Sequence, residues 1–412
     1  MSGQHRVVVT GMGAICPLGT GAESFWKTLL EGRIAIAPLT RFDASEYPSR
    51  IAAQVDDFDP NAFLSRRRVQ WTDRFSQFAV AAARLAVEDA RRSFNGDCPD
   101  VGVFTGSALG GVALAEEQIG VLGRDGLRAV RPLLTISVFG GAAASNIAIE
   151  FGITGPTIAN ADSCAAGAIA IGDAFRAVRR GDVRAAIAGG VEAPLAPLTF
   201  GAFTVARAMS TRNDDPASAS RPFDRDRDGF VMAEGAGMVV LERLEDAVAR
   251  NAPMHAEIVG YGTSNDAYHM SAPLGDGAQT ATAMERALHE AQIAPDEVEA
   301  LNAHGSSTKL GDRAEVLAYH RIFGDRASKI PVSATKGQHG HALGATGAWE
   351  LILSAFMMRD GIVPGTVNLK TVDEECAIGC TPGPLRCLPR IVLSNSSGFG
   401  GINAALVIRA LN

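Results

Sequence analysis

NADSCAAGAIAIGDAFRAVRRG, Asn160 to Gly181, sets one thiol, Cys164, at the head of a stretch dominated by small and aliphatic residues. Part of it, GAIAIGDAFRAVRRG from Gly167 to Gly181, is echoed by GAWELILSAFMMRDG from Gly347 to Gly361, equal in length and similar in punctuation. Each copy follows a polar reactive side chain, Cys164 in the first and His341 in the second. Apolar helices that lack a charged face for most of their length belong in the middle of a molecule. Self-similarity of this kind reads as a duplicated unit.

The surrounding rhythm agrees. RVVVT opens the chain's first strand, helices are predicted near Ala22 to Leu30 and Asp73 to Arg92, and DVGVFTG follows at Asp100. The pattern restarts at Ala256 with AEIVGYG, then MERALHEAQI and VEALNAHG. Short β-branched runs alternating with Ala-rich helical segments predict an α/β fold with buried strands. Two similar halves are expected, 1–253 and 254–412, packed as one unit.

The 412 residues are 47% hydrophobic and 20% charged, a globular composition. A net charge of −7 leaves no broad basic field for nucleic acid. No apolar run approaches the roughly 18 residues of a membrane span, and Gly11, Gly13 and Pro17 interrupt the opening's likeness to a signal peptide. Cys16, Cys98, Cys164, Cys376, Cys380 and Cys387 are scattered, so a reducing cytoplasm without a disulfide framework is expected. Cys376, Cys380 and Cys387 miss the usual zinc spacings, and no metal is expected.

Two motifs imitate familiar sites. VVVTGMGAICPLG starts like a dinucleotide loop, but Cys16 stands where a third small residue belongs and Pro17 interrupts the helix start. DRDRDGFVMAEG opens like a calcium loop, with Gly235 where the bidentate Glu belongs. A charged structural loop is the better reading of the second.

A thiol at a helix start lies near the positive end of the dipole, which favours thiolate; a buried inert cysteine fits the same stretch. NAHGSSTKLGDRAE carries His304 just past an apolar strand, and SATKGQHGHALGATG carries Lys336, His339 and His341. In α/β folds ligands bind at the carboxyl ends of strands, where Cys164, His304 and His341 are all expected. LSNSSGFGGINAALVI adds a Gly-rich loop around Phe399 whose backbone N–H groups are free to donate.

Cys164, NAHGSST, GHALGATGA and NSSGFGGIN occur in the order found in β-ketoacyl-acyl-carrier-protein synthases, and the chain resembles that family nearly end to end. RVVVTGMGAICPLG, AMSTRNDDPASASRPFDRDRDGFVMAEGAG and SNDAYHM extend the likeness. The resemblance implies a thiolase-like fold, duplicated halves in an α/β/α/β/α arrangement, usually dimeric. It implies acyltransferase activity, a decarboxylative condensation of a Cys-bound acyl chain with malonyl-acyl carrier protein. The family's nucleophile falls on Cys164, its condensing histidines on His304 and His341, its supporting lysine on Lys336, its carboxylate on Glu315 and its gating phenylalanine on Phe399. Ser306 and Thr308 match the hydroxyls that touch the pantetheine arm, with Leu109, Phe203 and Gly400 completing the expected substrate-binding set. No cofactor is implied beyond the phosphopantetheine that the carrier brings.

Carrier protein is acidic, so Arg66, Arg67, Arg68, Arg128 and Arg207, with Arg124, are candidates for docking it. Asp162 and Ser163 stand where the family usually has Thr and Ala, Ser397 where it has Phe and Ile402 where it has Thr. An inward Asp162 would oppose thiolate formation. These departures fit fatty-acid elongation or a specialised polyketide-type system, as a homodimer or as a heterodimer with a chain-length-factor partner. That partner subunit itself lacks the nucleophile, and a coenzyme A thiolase needs a second cysteine that NSSGFGGIN does not contain.

Overall fold

Strand β1 (Val7–Cys16) is buried along its whole length, as its run of Val, Ala and Ile between glycines requires of a strand covered on both faces. In the computed structural model, which describes residues 4–94 and 96–411, β1 opens the first half. There follow α1 (Arg74–Asp89), β2 (Val101–Gly106), β3 (Thr157–Asn160), α2 (Ala166–Arg180), β4 (Ala185–Glu192) and β5 (Gly235–Arg243). The second half runs β6 (Ala256–Asn265), α3 (Ala278–Ala291), β7 (Ala300–Asn302), α4 (Lys309–Phe323), β8 (Val332–Ser333), α5 (Thr346–Asp360), β9 (Ile391–Gly398) and β10 (Ile402–Arg409).

The principal sheet is ordered β8-β7-β9-β10-β6-β1-β5-β4-β2-β3, with a short strand, Gly19–Thr20, paired to β1. Counted outward from the centre, each half reads first strand, fifth, fourth, second, third. The pairings repeat as well. The two outer pairs of each half are parallel, β2 with β3 and β4, β7 with β8 and β9. The inner pairs are antiparallel. The duplication seen in two helices therefore extends to the whole connectivity. The halves join where Val7–Val9 pairs antiparallel with Ala256–Ile258.

Helix α1 covers the outer face of the first half, packing on β1, β4 and β5. Helices α3 and α4 cover the outer face of the second. Between the half-sheets lie α2 and α5: α2 packs on β2, β4 and β10, and α5 on β5 and β9. Residues Thr346 to Met358 of α5 are all buried, and each large apolar side chain so placed contributes roughly 1.5–3 kcal/mol. The glycines that end the two echoed segments are left-handed caps, Gly181 at φ 84 and Gly361 at φ 65. Close approach in this middle layer depends on Gly167, where a Cβ would lie 2.5 Å from the Gly344 carbonyl oxygen.

Candidate active site

Past β3 the chain turns through Ser163, a non-glycine residue at φ 53, into a short 3-10 turn, Ser163–Ala165, that leads into α2. The same turn occurs past β8: Leu343 sits at φ 43 at the start of Leu343–Ala345, and α5 follows. Backbone held in this sparsely populated region persists only where its surroundings over-determine it. The first turn presents Cys164; two residues before Leu343, the second presents His341. His304 follows β7 in the loop before α4.

Cys164, His304 and His341 line one cavity of about 400 Å³, together with Phe203, Arg207, Ser306, Thr308, Glu315, Phe399 and Gly400. The imidazoles stand edge to face, ring centroids 5.2 Å apart. His341 Nδ1 lies 3.0 Å from Thr346 Oγ1, so its Nε2 is left for the cavity. His304 Nδ1 is buried with no hydrogen-bond partner among the described residues. Lys336, fully buried, donates to the His304 carbonyl and pairs with Glu350. Burial, then the Lys336 charge, holds both imidazoles well below their usual range, so both are neutral at physiological pH.

Glu315 reaches the His304 loop through its backbone, accepting from His304 N at 2.7 Å and Gly305 N at 2.8 Å. Tyr319 and Asn395 donate to the same carboxylate, which fixes it. Ser306 Oγ and Thr308 Oγ1 are 2.9 Å apart on the cavity wall, and Thr308 also caps α4. Phe399 stacks on Phe203, centroids 6.0 Å apart, and is 38% exposed at the rim. Gly400 needs its φ of 81 to turn this loop. The loop presses on the nucleophile's turn, for a Cβ on Gly398 would lie 3.0 Å from Cys164 N. Leu109 packs in the apolar cluster around Cys164 with Leu343, Phe200 and Phe230.

The expected low thiol pKa is corrected. Burial pushes the Cys164 thiol up to about 11, outweighing the Ser163 hydroxyl, the Lys336 charge and the Phe399 N–H, all of which favour thiolate. Dipole reasoning from sequence saw the helix start but not the desolvation. Asp162 is not among the charges acting on Cys164; it acts on Asp173 and Tyr261 instead.

The docking candidates separate. Arg207 is exposed at the cavity's wall, whereas Arg66, Arg67, Arg68 and Arg128 do not line it. Arg66 and Arg128 are exposed, and Arg67 stacks 4.0 Å over the Trp71 ring. Arg68 is half-buried, pairs with Glu150 and donates to the Asn146 carbonyl. In the calcium-like loop, Asp224 accepts from the backbone of Asp226, Lys370 and Thr371.

Sequence reasoning passed over Glu192, Glu350 and Thr346. Glu350 had a signal, the lone charge in the apolar run GAWELIL. Glu192 gave none, since its partners, Ser107 to Leu109 and Gly344, come from distant segments; Thr346 gave none because a threonine five residues past a histidine marks no contact until the turn between them is known.

Comparison with known proteins agrees with this geometry. The model of the β-ketoacyl synthase N-terminal domain matches residues 4–247, and that of the C-terminal domain matches residues 255–370. A 3-oxoacyl-[acyl-carrier-protein] synthase 2 of Synechocystis is 43% identical over 408 residues, 98% of each chain. Among solved structures, "The ishigamide ketosynthase/chain length factor" superposes with a TM-score of 0.93 at 33% identity, covering 99% of this chain and 100% of the other. A "type II PKS acyl-carrier protein in complex with its ketosynthase bound to the hexaketide" gives a TM-score of 0.90 at 32% identity, again covering 99% and 100%. With both family domains matched and full-length relatives above 40% identity, this chain belongs to the β-ketoacyl synthase family.

Proposed function

We propose that this protein is a 3-oxoacyl-acyl-carrier-protein synthase that joins a Cys164-bound acyl chain to malonyl-carrier protein. The convergence of Cys164 with two neutral imidazoles in one cavity carries this reading. The first half, 1–253, supplies the nucleophile, and the second, 254–412, supplies the histidines.

In the first step the Cys164 sulfur attacks the acyl thioester; its proton leaves with the carrier's thiol, and an acyl-cysteine remains. Backbone N–H groups of Cys164 and Phe399 donate to the tetrahedral oxyanion, each such donor supplying about 3 kcal/mol. Malonyl-carrier protein then enters, its phosphopantetheine arm running past Ser306 and Thr308. His304 and His341 hydrogen-bond its thioester oxygen. For Nε2 to carry the donating proton, His341 Nδ1 must accept, and the Thr346 hydroxyl 3.0 Å away is placed to donate to it. Carbon dioxide leaves, the enolate carbon attacks the acyl carbon, and the C–S bond to Cys164 breaks. The 3-oxoacyl-carrier product departs and the thiolate regains a proton. Neutral imidazoles suit this step, because they donate without protonating the enolate. Burial, helped by the Lys336 charge, keeps them neutral; Lys336 also holds the His304 loop, Glu315 fixes that loop from behind, and Arg207 meets the acidic carrier at the mouth.

Incubation with acyl-carrier substrates, followed by intact-protein mass measurement, tests the reading: an acyl increment on Cys164 is expected, and its absence with every donor overturns it. His304→Ala or His341→Ala should abolish malonyl decarboxylation while leaving acylation largely in place.

A second reading, a ketosynthase subunit paired with a chain-length-factor-like partner, is favoured by the likeness to the ishigamide protein. Native mass of the protein purified from its source distinguishes a homodimer from a mixed pair.

A further inference from the structure

We propose that Glu192 is a positioning residue for the acyl pocket, clamping the Leu109 loop of the first half to the Leu343 loop of the second and thereby setting which acyl chains fit beside Cys164. The inference rests on the reading of Cys164 as the acylated residue.

Glu192 ends β4 and is fully buried. Oε1 accepts from Ser107 Oγ at 2.9 Å and from Leu109 N at 3.1 Å. Oε2 accepts from Ala108 N at 2.7 Å and from Gly344 N at 3.1 Å. Ser107 Oγ in turn accepts from Gly110 N at 2.9 Å, so the whole turn hangs on this carboxylate. The two halves contact the same oxygen, Oε2, through Ala108 and Gly344.

Both loops border the site. Leu109 and Leu343 belong to the apolar cluster that surrounds Cys164, with Leu195, Phe200 and Met232. Leu343 is in left-handed backbone at φ 43, and the clamp's bond to the next residue, Gly344, helps to hold it there. Among the described residues no hydrogen-bond partner of Glu192 is cationic, and burial pushes its carboxyl up to about 7. Burying a carboxylate without a counter-charge is costly. An apolar residue would fill the space but leave four polar groups unsatisfied, and an amide cannot accept on both sides.

His341 is held separately, its backbone N–H bonded to Val231 O at 2.7 Å and its ring bonded to Thr346. Loosening the clamp should therefore alter acyl choice without altering decarboxylation.

The test uses Glu192→Gln. Cys164 acylation is followed by intact mass with saturated acyl-carrier donors from acetyl to palmitoyl, and malonyl decarboxylation is measured without an acyl donor. The preference between best and worst donors should fall about tenfold, as expected when one to two hydrogen bonds are lost. Decarboxylation should stay within about twofold of the wild type. A donor profile of unchanged shape overturns the proposal, whether or not all rates fall together. Should Glu192→Gln fail to fold, Ser107→Ala, which removes one donor to the clamp, should flatten the profile in the same sense. Hydrogen exchange separates this proposal from the function it rests on. The amides of Ala108, Leu109 and Gly344 should exchange faster together in the variant even if no donor acylates the wild type, and unchanged exchange refutes the clamp.

Discussion

Replacing the Cys164 thiol with hydrogen removes the atom that holds the acyl chain but leaves both imidazoles in place. Cys164→Ala should therefore abolish condensation while malonyl decarboxylation survives or rises, measured as carbon dioxide release from malonyl-carrier protein; condensation retained by this variant contradicts the role given to Cys164. The imidazoles make a second prediction. Their folded-state pKa values lie well below the usual value, so acidification does not charge them at the pH where a free imidazole would be half protonated, about 6.5. Decarboxylation by Cys164→Ala should stay level as pH falls through that point. A drop centred there would show an ordinary, solvated histidine. The thiol runs the opposite way. Pushed up to about 11, it is almost wholly protonated in the free protein at neutral pH, so alkylation of Cys164 should accelerate with rising pH until well above neutrality.

Helices α2 and α5 put the reactive turns side by side, and their contact tolerates no added atom at Gly167. Gly167→Ala should lower stability by about 1–3 kcal/mol in urea unfolding, because Gly344 backbone rather than a movable side chain blocks the new methyl. Gly123 is the control, lying in the helix Val112–Asp125 with nothing near its Cβ position. Gly123→Ala should be stabilising by about 0.5–1 kcal/mol through the unfolded state. These elements also mark what the sequence reveals. The echo of Gly167–Gly181 in Gly347–Gly361 made the duplication legible, and strand-end placement made Cys164, His304 and His341 legible, because periodicity and loop position are local properties. Helix limits were close: the segment expected from Asp73 to Arg92 is α1, Arg74–Asp89, with Asp73 capping it through Ser76 N. Glu192 was illegible because its partners, Ser107 to Leu109 and Gly344, are far away in the chain. The thiol's raised pKa was illegible for a related reason, since desolvation depends on what the rest of the fold places around it.

At the scale of the whole molecule the sheet ends on β3, whose residues Thr157, Ile158 and Ala159 are exposed. The helix Ala142–Phe151 packs beside it and carries Ile149 at 71% exposure. An uncovered strand edge flanked by apolar side chains invites pairing with a second chain. Ile158→Lys should shift native mass and sedimentation toward the monomer; an unchanged dimer would place the interface elsewhere. No helix among the described residues is long and apolar enough to cross a membrane. The rim of the cavity behaves differently from its floor. Cys164 and His341 are fastened to a glycine-tight middle layer, whereas Phe399 rests on Phe203 with 38% of its surface exposed. We read this aromatic pair as a movable barrier on the way to the sulfur. Covalent blockers of very different intrinsic reactivity should consequently share a common ceiling on their inactivation rate, set by how often that barrier swings aside, and a smaller side chain at 399 should lift the ceiling for all of them.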